Sequence, residues 1–188
     1  MALEVLYRDD DIVVVNKPSG MLVHRGWDND EVVAMTVVRD LVGQHVHPVH
    51  RLDRPTSGAL IMALHKDAAR SLCTAFEHGQ IAKAYLALVR GVTPEQGLID
   101  HPVPKKPKGE RVAAQTAFER KFIFERYSLV ATWPKTGRLH QIRRHLKHIT
   151  HPLIGDVNYG KGEHNRLFRK RFGLNRLALH AASISFEH

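Results

Sequence analysis

The run His50-Arg51-Leu52-Asp53-Arg54-Pro55-Thr56-Ser57-Gly58-Ala59-Leu60-Ile61-Met62-Ala63-Leu64 organises the reading of this chain. Its second half is an unbroken apolar stretch of strand length, bounded in front by Pro55 and Gly58. Its first half sets one aspartate between two arginines, on a loop that the following strand holds rigid. Neighbouring cations favour the charged form, so Asp53 is expected to stay an unprotonated carboxylate at neutral pH. Loops held by strands are where catalytic groups concentrate. An Arg-Asp-Arg ion-pair cluster that only pins the loop accounts for the local pattern equally well.

Around this centre the pattern predicts more strands than helices. Leu3–Tyr7 and Ile12–Asn16 read as strands joined by a turn at Asp9-Asp10-Asp11. Asp30 is placed to cap a helix through Val42, closed by Gly43. Asp67–Glu77 reads as a helix with Leu72, Ala75 and Phe76 inward, and Cys73 on it as an inert buried thiol. Ile81–Val89, Ala113–Glu119, Tyr127–Trp133, Leu174–His180 and Ser183–Phe186 read as further strands. His101–Gly109, with three prolines, reads as a loop without regular structure. Arg138–His148 carries Leu139, Ile142 and Leu146 at helical spacing. Because the strands mostly follow one another, the expected fold is α+β with a mixed, largely antiparallel sheet.

Composition narrows the classes. The 188 residues are 43% hydrophobic and 25% charged, ordinary for a globular chain with a real core. No stretch reaches the ~20 apolar residues of a membrane span, and no signal peptide is visible. The single cysteine excludes an internal disulfide and any multi-cysteine zinc site. A cytoplasmic protein is the simplest reading. Of the net charge of +9, residues 135–188 supply most, with 11 Lys+Arg against 3 Asp+Glu and half of the 14 histidines. Such a region suits a polyanion, whose condensed counterions are released on binding, although a solvated basic face is the bland alternative.

Several chemical motifs fail. Gly155–Lys161 has the spacing of a phosphate loop, but Gly162 stands where a magnesium-binding hydroxyl is required. His145, His148 and His151 are three apart, yet no carboxylate joins them, so they are read as an RNA-facing or solvated surface and no metal is expected. His50, Asp53 and Ser57 lack the turn of a hydrolase nucleophile.

His50–Gly58 resembles the catalytic-aspartate motif of the RNA pseudouridine synthases of the RluA type. Asn16-Lys17-Pro18-Ser19-Gly20 with Val23-His24 resembles that family's N-terminal motif, and Lys83-Ala84-Tyr85 its tyrosine motif. Lys135–Leu146 resembles its arginine motif, and His151–Asp156 and Leu177–Ala181 its closing segments. Six such matches stand in family order along nearly the whole chain. The resemblance implies one catalytic domain over residues 1–188, without the small N-terminal RNA-binding domain of many relatives, built as a central sheet flanked by helices whose cleft holds RNA.

It also implies roles. Asp53 is the nucleophilic or charge-stabilising carboxylate, Tyr85 packs against the target base and assists proton removal at C5, and Arg143 pairs with Asp53. His50, Arg51, Arg54, Arg138, His140, Gln141 and Arg144 are candidate RNA or substrate contacts. From the residues alone, Tyr85 reads as a core aromatic and Arg143 as a phosphate contact. The isomerisation needs no redox step or transferred group, so no cofactor is implied. Arg54-Pro55, Arg143–Leu146 and His164-Asn165-Arg166 resemble the family's tRNA-modifying branch, which implies uridine 65 of tRNA as target. Ribosomal RNA, or a non-catalytic RNA-binding role, are the alternatives. A monomer without an obligate protein partner is expected. The chain stops at Glu187-His188, where relatives usually continue through a proline and a further strand.

Overall fold

A computed structural model of the protein describes residues 3–25, 32–106 and 109–188. The chain divides into two compact units: residues 1–81 with 181–188, and residues 82–180.

In the first unit, β1 (Glu4–Arg8) and β2 (Ile12–Lys17) form the expected hairpin. Asp9 makes its turn, its Oδ1 accepting from Asp11 N (2.9 Å) and Ile12 N (2.8 Å). Burial opposes that charge, but the two backbone donors prevail and hold the Asp9 carboxyl down at about 2. Helix α1 (Ala34–Val42) starts after Val33, whose N–H meets Thr36 Oγ1, and ends on left-handed Gly43. The expected cap Asp30 lies outside the described residues.

The short β3 (His47–Pro48) and β2 both pair with β4 (Ser57–Ala63), all seven residues of which are buried. An apolar run with no polar face fits a strand covered on both sides. Gly58 holds φ +116°, and a Cβ there would lie 2.2 Å from the carbonyl oxygen of Ala181 in β11 (Leu179–Ser185). Only glycine allows that approach.

Helix α2 (Lys66–Glu77) is capped by His65, whose ring accepts from Ala68 N. Leu72, Ala68, Ala69, Ala75 and Phe76 pack with Ile12, Ile61 and Ile81. Cys73 corrects the expectation of a buried thiol: it is exposed. One residue past Leu72 is ~100° round the helix, which turns it away from that apolar stripe.

The second unit is a four-stranded antiparallel sheet in the order β5 (Ala82–Arg90), β10 (Tyr127–Pro134), β9 (Gln115–Phe124), β6 (Gln96–Asp100). The β6 strand escaped the sequence reading because alternation is weak in Gln96–Asp100. The loop read as irregular contains a short strand, β7 (Val103–Pro104), which pairs with β8 (Arg111–Val112) just beyond it. An edge position lets Pro104 join a ladder without an N–H.

Helix α3 covers Gln141–His148, shorter than expected, because His140 takes φ +51° and breaks the helical run. It buries Ile142 and Leu146 with Ala87, Val89, Phe118 and Val130. Helix α4 (Gly162–Phe172) was not anticipated, its apolar content being low. It is held by Phe168, which packs on Tyr127 and Ile154, and by buried His164, whose Nδ1 bonds Tyr127 Oη at 2.8 Å. The two closing strands expected over 174–186 are one, β11. Residues 174–178 do not extend: Leu174 N still bonds Phe168 O, and Arg176 O passes within 2.0 Å of where a Gly155 Cβ would stand. The pairs β1–β2, β2–β4, β3–β4, β5–β10, β10–β9, β9–β6 and β7–β8 are antiparallel, and the fold is the expected α+β arrangement with a mixed central sheet.

Candidate active site

In the first unit, two motifs distant in sequence form one hydrogen-bonded piece. Leu52 is buried and anchors the loop, and Thr56 N closes a turn on Asp53 O at 2.9 Å. The 17–21 segment lies against it. Gly20 N donates to Arg54 O (2.8 Å), Arg54 Nε returns a bond to Gly20 O (3.0 Å), and Ser19 Oγ donates to Pro55 O (2.7 Å). Asp53 itself is half-buried and Arg51 is exposed. His50 serves the sheet, because its Nε2 accepts from Ile61 N at 3.0 Å while its ring stacks on Phe76. Arg54, an RNA-contact candidate, is exposed but has its Nε committed to the loop.

Lys17 lies beneath these loops. Its side chain is 0% exposed, and Nζ donates to the carbonyls of Pro18 (2.9 Å), Met21 (2.8 Å) and Arg54 (3.3 Å). Burial lowers its pKa to about 8, against the upward pull of the Asp53 charge. A folded-state value below the unfolded one means that the unfolded chain binds the extra proton between pH about 8 and 10.5. Lys17 therefore costs the fold most below that window, and the cost fades as pH rises through it. Denaturant titration at pH 7.5 and 9.5 should show wild type gaining about 2 kcal/mol on Lys17→Met. A pH-independent difference would mean that the ammonium is not desolvated.

In the second unit, Tyr85 sits on β5 opposite Thr132 of β10, packed against the core that holds Ile142 and Leu146. Lys83, on the same strand face, is pushed down from the usual lysine pKa by burial. Arg143 on α3 is 3% exposed and makes a two-pronged ion pair with Asp156, Nε to Oδ2 at 2.7 Å and Nη2 to Oδ1 at 2.9 Å. Burial opposes the Asp156 charge, but Arg143 and the N–H groups of Tyr159 and Asn158 outweigh it and lower its pKa. In the sequence Asp156 stands out only as part of a closing segment. The available signal was its isolation, as one of three acidic residues among 11 cations over 135–188.

The other candidates of this unit divide by burial. Gln141 is buried. Its amide receives Thr136 Oγ1 and Arg138 N on Oε1 and donates to Gln115 O and Thr116 Oγ1, so it shapes the 136–138 loop. Arg138 is exposed. His140 Nδ1 and Arg144 Nε both meet Tyr159 Oη, at 2.9 and 3.0 Å, and Arg144 Nη1 donates to Pro104 O.

Of the histidine triplet, His145 does not lie on the expected surface, whereas His148 is exposed and His151 half-buried. His145 is fully buried, between Thr116 Oγ1 and His101 O, and burial lowers its pKa. His148 stacks on His101, and His151 Nδ1 donates to Arg90 O. Among the described residues no group of three or more His, Cys, Asp or Glu could hold a metal ion, and no helix is long and apolar enough to cross a membrane.

The model of the RNA pseudouridylate synthase family matches residues 11–148. The tRNA pseudouridine synthase C of Haemophilus ducreyi is 45% identical over 100% of this chain and 86% of its own length. The protein of the same name from Vibrio cholerae is 43% identical over 99% of this chain and 86% of its own. Among solved structures, human RNA pseudouridylate synthase domain containing 4 aligns with a TM-score of 0.80 at 27% identity, over 97% of this chain and 84% of that one.

Proposed function

The chain belongs to the RNA pseudouridylate synthase family, and on that premise we propose that it converts one uridine of tRNA, uridine 65 by resemblance, to pseudouridine. The enzyme class follows from the family. The tRNA substrate rests on one observation, the 45% identity to a tRNA pseudouridine synthase C along the full chain. In the reaction the N1–C1′ bond breaks, the uracil turns, C5 bonds C1′, and the C5 proton leaves while N1 gains one. Composition and oxidation state are unchanged, so the chemistry can be carried by side chains alone.

Asp53 supplies the carboxylate that adds covalently or supports the charged intermediate, which divides one hard step into easier ones. Tyr85 flanks the base and assists departure of the C5 proton. Arg143 serves as arginine partner of the catalytic carboxylate. The family match spans all three positions, which supports reading the whole chain as one catalytic domain. Arg51, Arg54, Arg138 and Arg144 contribute cationic contacts to the RNA backbone, and His140 a polar one. A paired uridine must leave its stack at a cost of a few kcal/mol, which such contacts offset.

Pseudouridine mapping of total tRNA and rRNA, from cells with and without the gene, tests the substrate. A single tRNA position should lose its signal on deletion and regain it on complementation. Loss confined to rRNA would transfer the activity to that substrate.

A further inference from the structure

We infer that Asp156 and Tyr159 form a clamp that fixes the plane of the Arg143 guanidinium, which makes Asp156 a positioning residue for the reaction. The inference rests on the reading of Arg143 as catalytic machinery.

Asp156 is suited to hold rather than to react. Its Oδ2 accepts from Arg143 Nε, and its Oδ1 accepts from Arg143 Nη2, Asn158 N (2.9 Å) and Tyr159 N (3.0 Å). The two backbone donors stop the carboxylate from following the arginine if the arginine moves. The turn carrying it is itself tied down. Gly160 N and Asn165 Nδ2 both donate to Asp156 O, and Asn165 Oδ1 accepts from Gly155 N. Cβ atoms at Gly155 and Gly160 would stand 2.0 Å from Arg176 O and 2.3 Å from Asp156 O, so the backbone here is tightly fitted.

Tyr159 closes the second side. Its ring centre lies 5.0 Å from Arg143 Cζ, and its hydroxyl is pinned by Arg144 and His140. Arg144 and Lys147 also approach the ring, at 5.7 and 5.8 Å. A cation against an aromatic face gains attraction without a second counter-charge.

Stability alone does not account for this arrangement. A buried ion pair can often be replaced by apolar side chains with no loss, because desolvation of the two charges consumes the Coulombic gain. What apolar packing cannot provide is a directed guanidinium. A two-pronged carboxylate and a ring face together set its plane, and small misplacements of a catalytic group can cost on the order of a hundredfold in rate.

The test is a double-mutant cycle on Asp156→Asn and Arg143→Lys, with single-turnover rate and tRNA affinity measured on a tRNA transcript beside wild type. Asp156→Asn should slow the rate about a hundredfold while affinity stays within about threefold. The double variant should be no slower than the slower single, because both changes remove one device. A rate within threefold of wild type, or losses that multiply, would overturn the clamp. If circular dichroism shows Asp156→Asn unfolded at assay temperature, Tyr159→Leu takes its place in the cycle, with a loss of about tenfold expected and the same criteria. An inactive wild type would overturn the functional reading. An active wild type with an unaffected clamp variant overturns only this inference.

Discussion

Asp53→Asn should abolish isomerisation, with a loss of at least about a thousandfold, while the variant stays folded and binds tRNA within a few-fold of wild type. Asparagine preserves the shape of the side chain and removes its charge. The loop's turn is closed by the backbone bond from Thr56 N to Asp53 O, and Gly20, Ser19 and Lys17 support it through backbone carbonyls, bonds that the substitution leaves in place. An amide is a poor nucleophile and a poor partner for developing positive charge, so the chemical step carries the whole effect. Release of tritium from tRNA labelled at uridine C5 reports turnover directly, because that hydrogen departs in every productive cycle. Activity within tenfold of wild type would remove Asp53 from its role. A secondary consequence is specific to this structure. The Asp53 charge raises the Lys17 pKa, so Lys17 should titrate at lower pH in the variant.

Arg143→Lys and Arg144→Lys should diverge although the residues are adjacent. Arg143 is buried with both prongs on Asp156, whereas Arg144 is half-buried and bonds Tyr159 Oη and Pro104 O. Lysine keeps the charge at either site but cannot reproduce the planar fork. At position 143 the expected result is a single-turnover rate about a hundredfold lower at saturating enzyme, with much smaller loss of affinity. At position 144 the expected result is at most a modest loss of tRNA affinity with the salt dependence of wild type, because lysine still neutralises a phosphate. Indistinguishable profiles would reduce Arg143 to a phosphate contact and remove the reason for its two-sided confinement.

The fold class and most elements were legible because they depend on local signals. The apolar run 59–64, the Asp9 turn and the stop at Gly43 each rest on chemistry confined to a few residues. Asp53, Tyr85 and Arg143 could be nominated because the resemblance is carried by short ordered motifs. What failed locally shares one cause. Helix α4 carries too few apolar residues to announce itself, and the buried bond between His164 and Tyr127 that helps hold it joins residues 37 positions apart. Cys73 and Leu72 are neighbours in the chain, yet only one of them lies on the packed stripe.

By itself, then, the sequence determined the class of fold and the charge asymmetry, since those follow from residue types and short spacings, and its resemblance to the family nominated the residues for the chemistry. Only tertiary structure decided how those residues are used. It buried His145 and Gln141, which in sequence sit among cations, and it turned them to internal hydrogen bonds. It joined the loops at 17–21 and 53–57 through Lys17, and it gave Arg143 its carboxylate 13 residues away. A basic side chain has the same formal charge wherever it stands. Whether it faces solvent, an RNA phosphate or a buried carboxylate depends on which distant backbone packs beside it, and no local pattern encodes that neighbour.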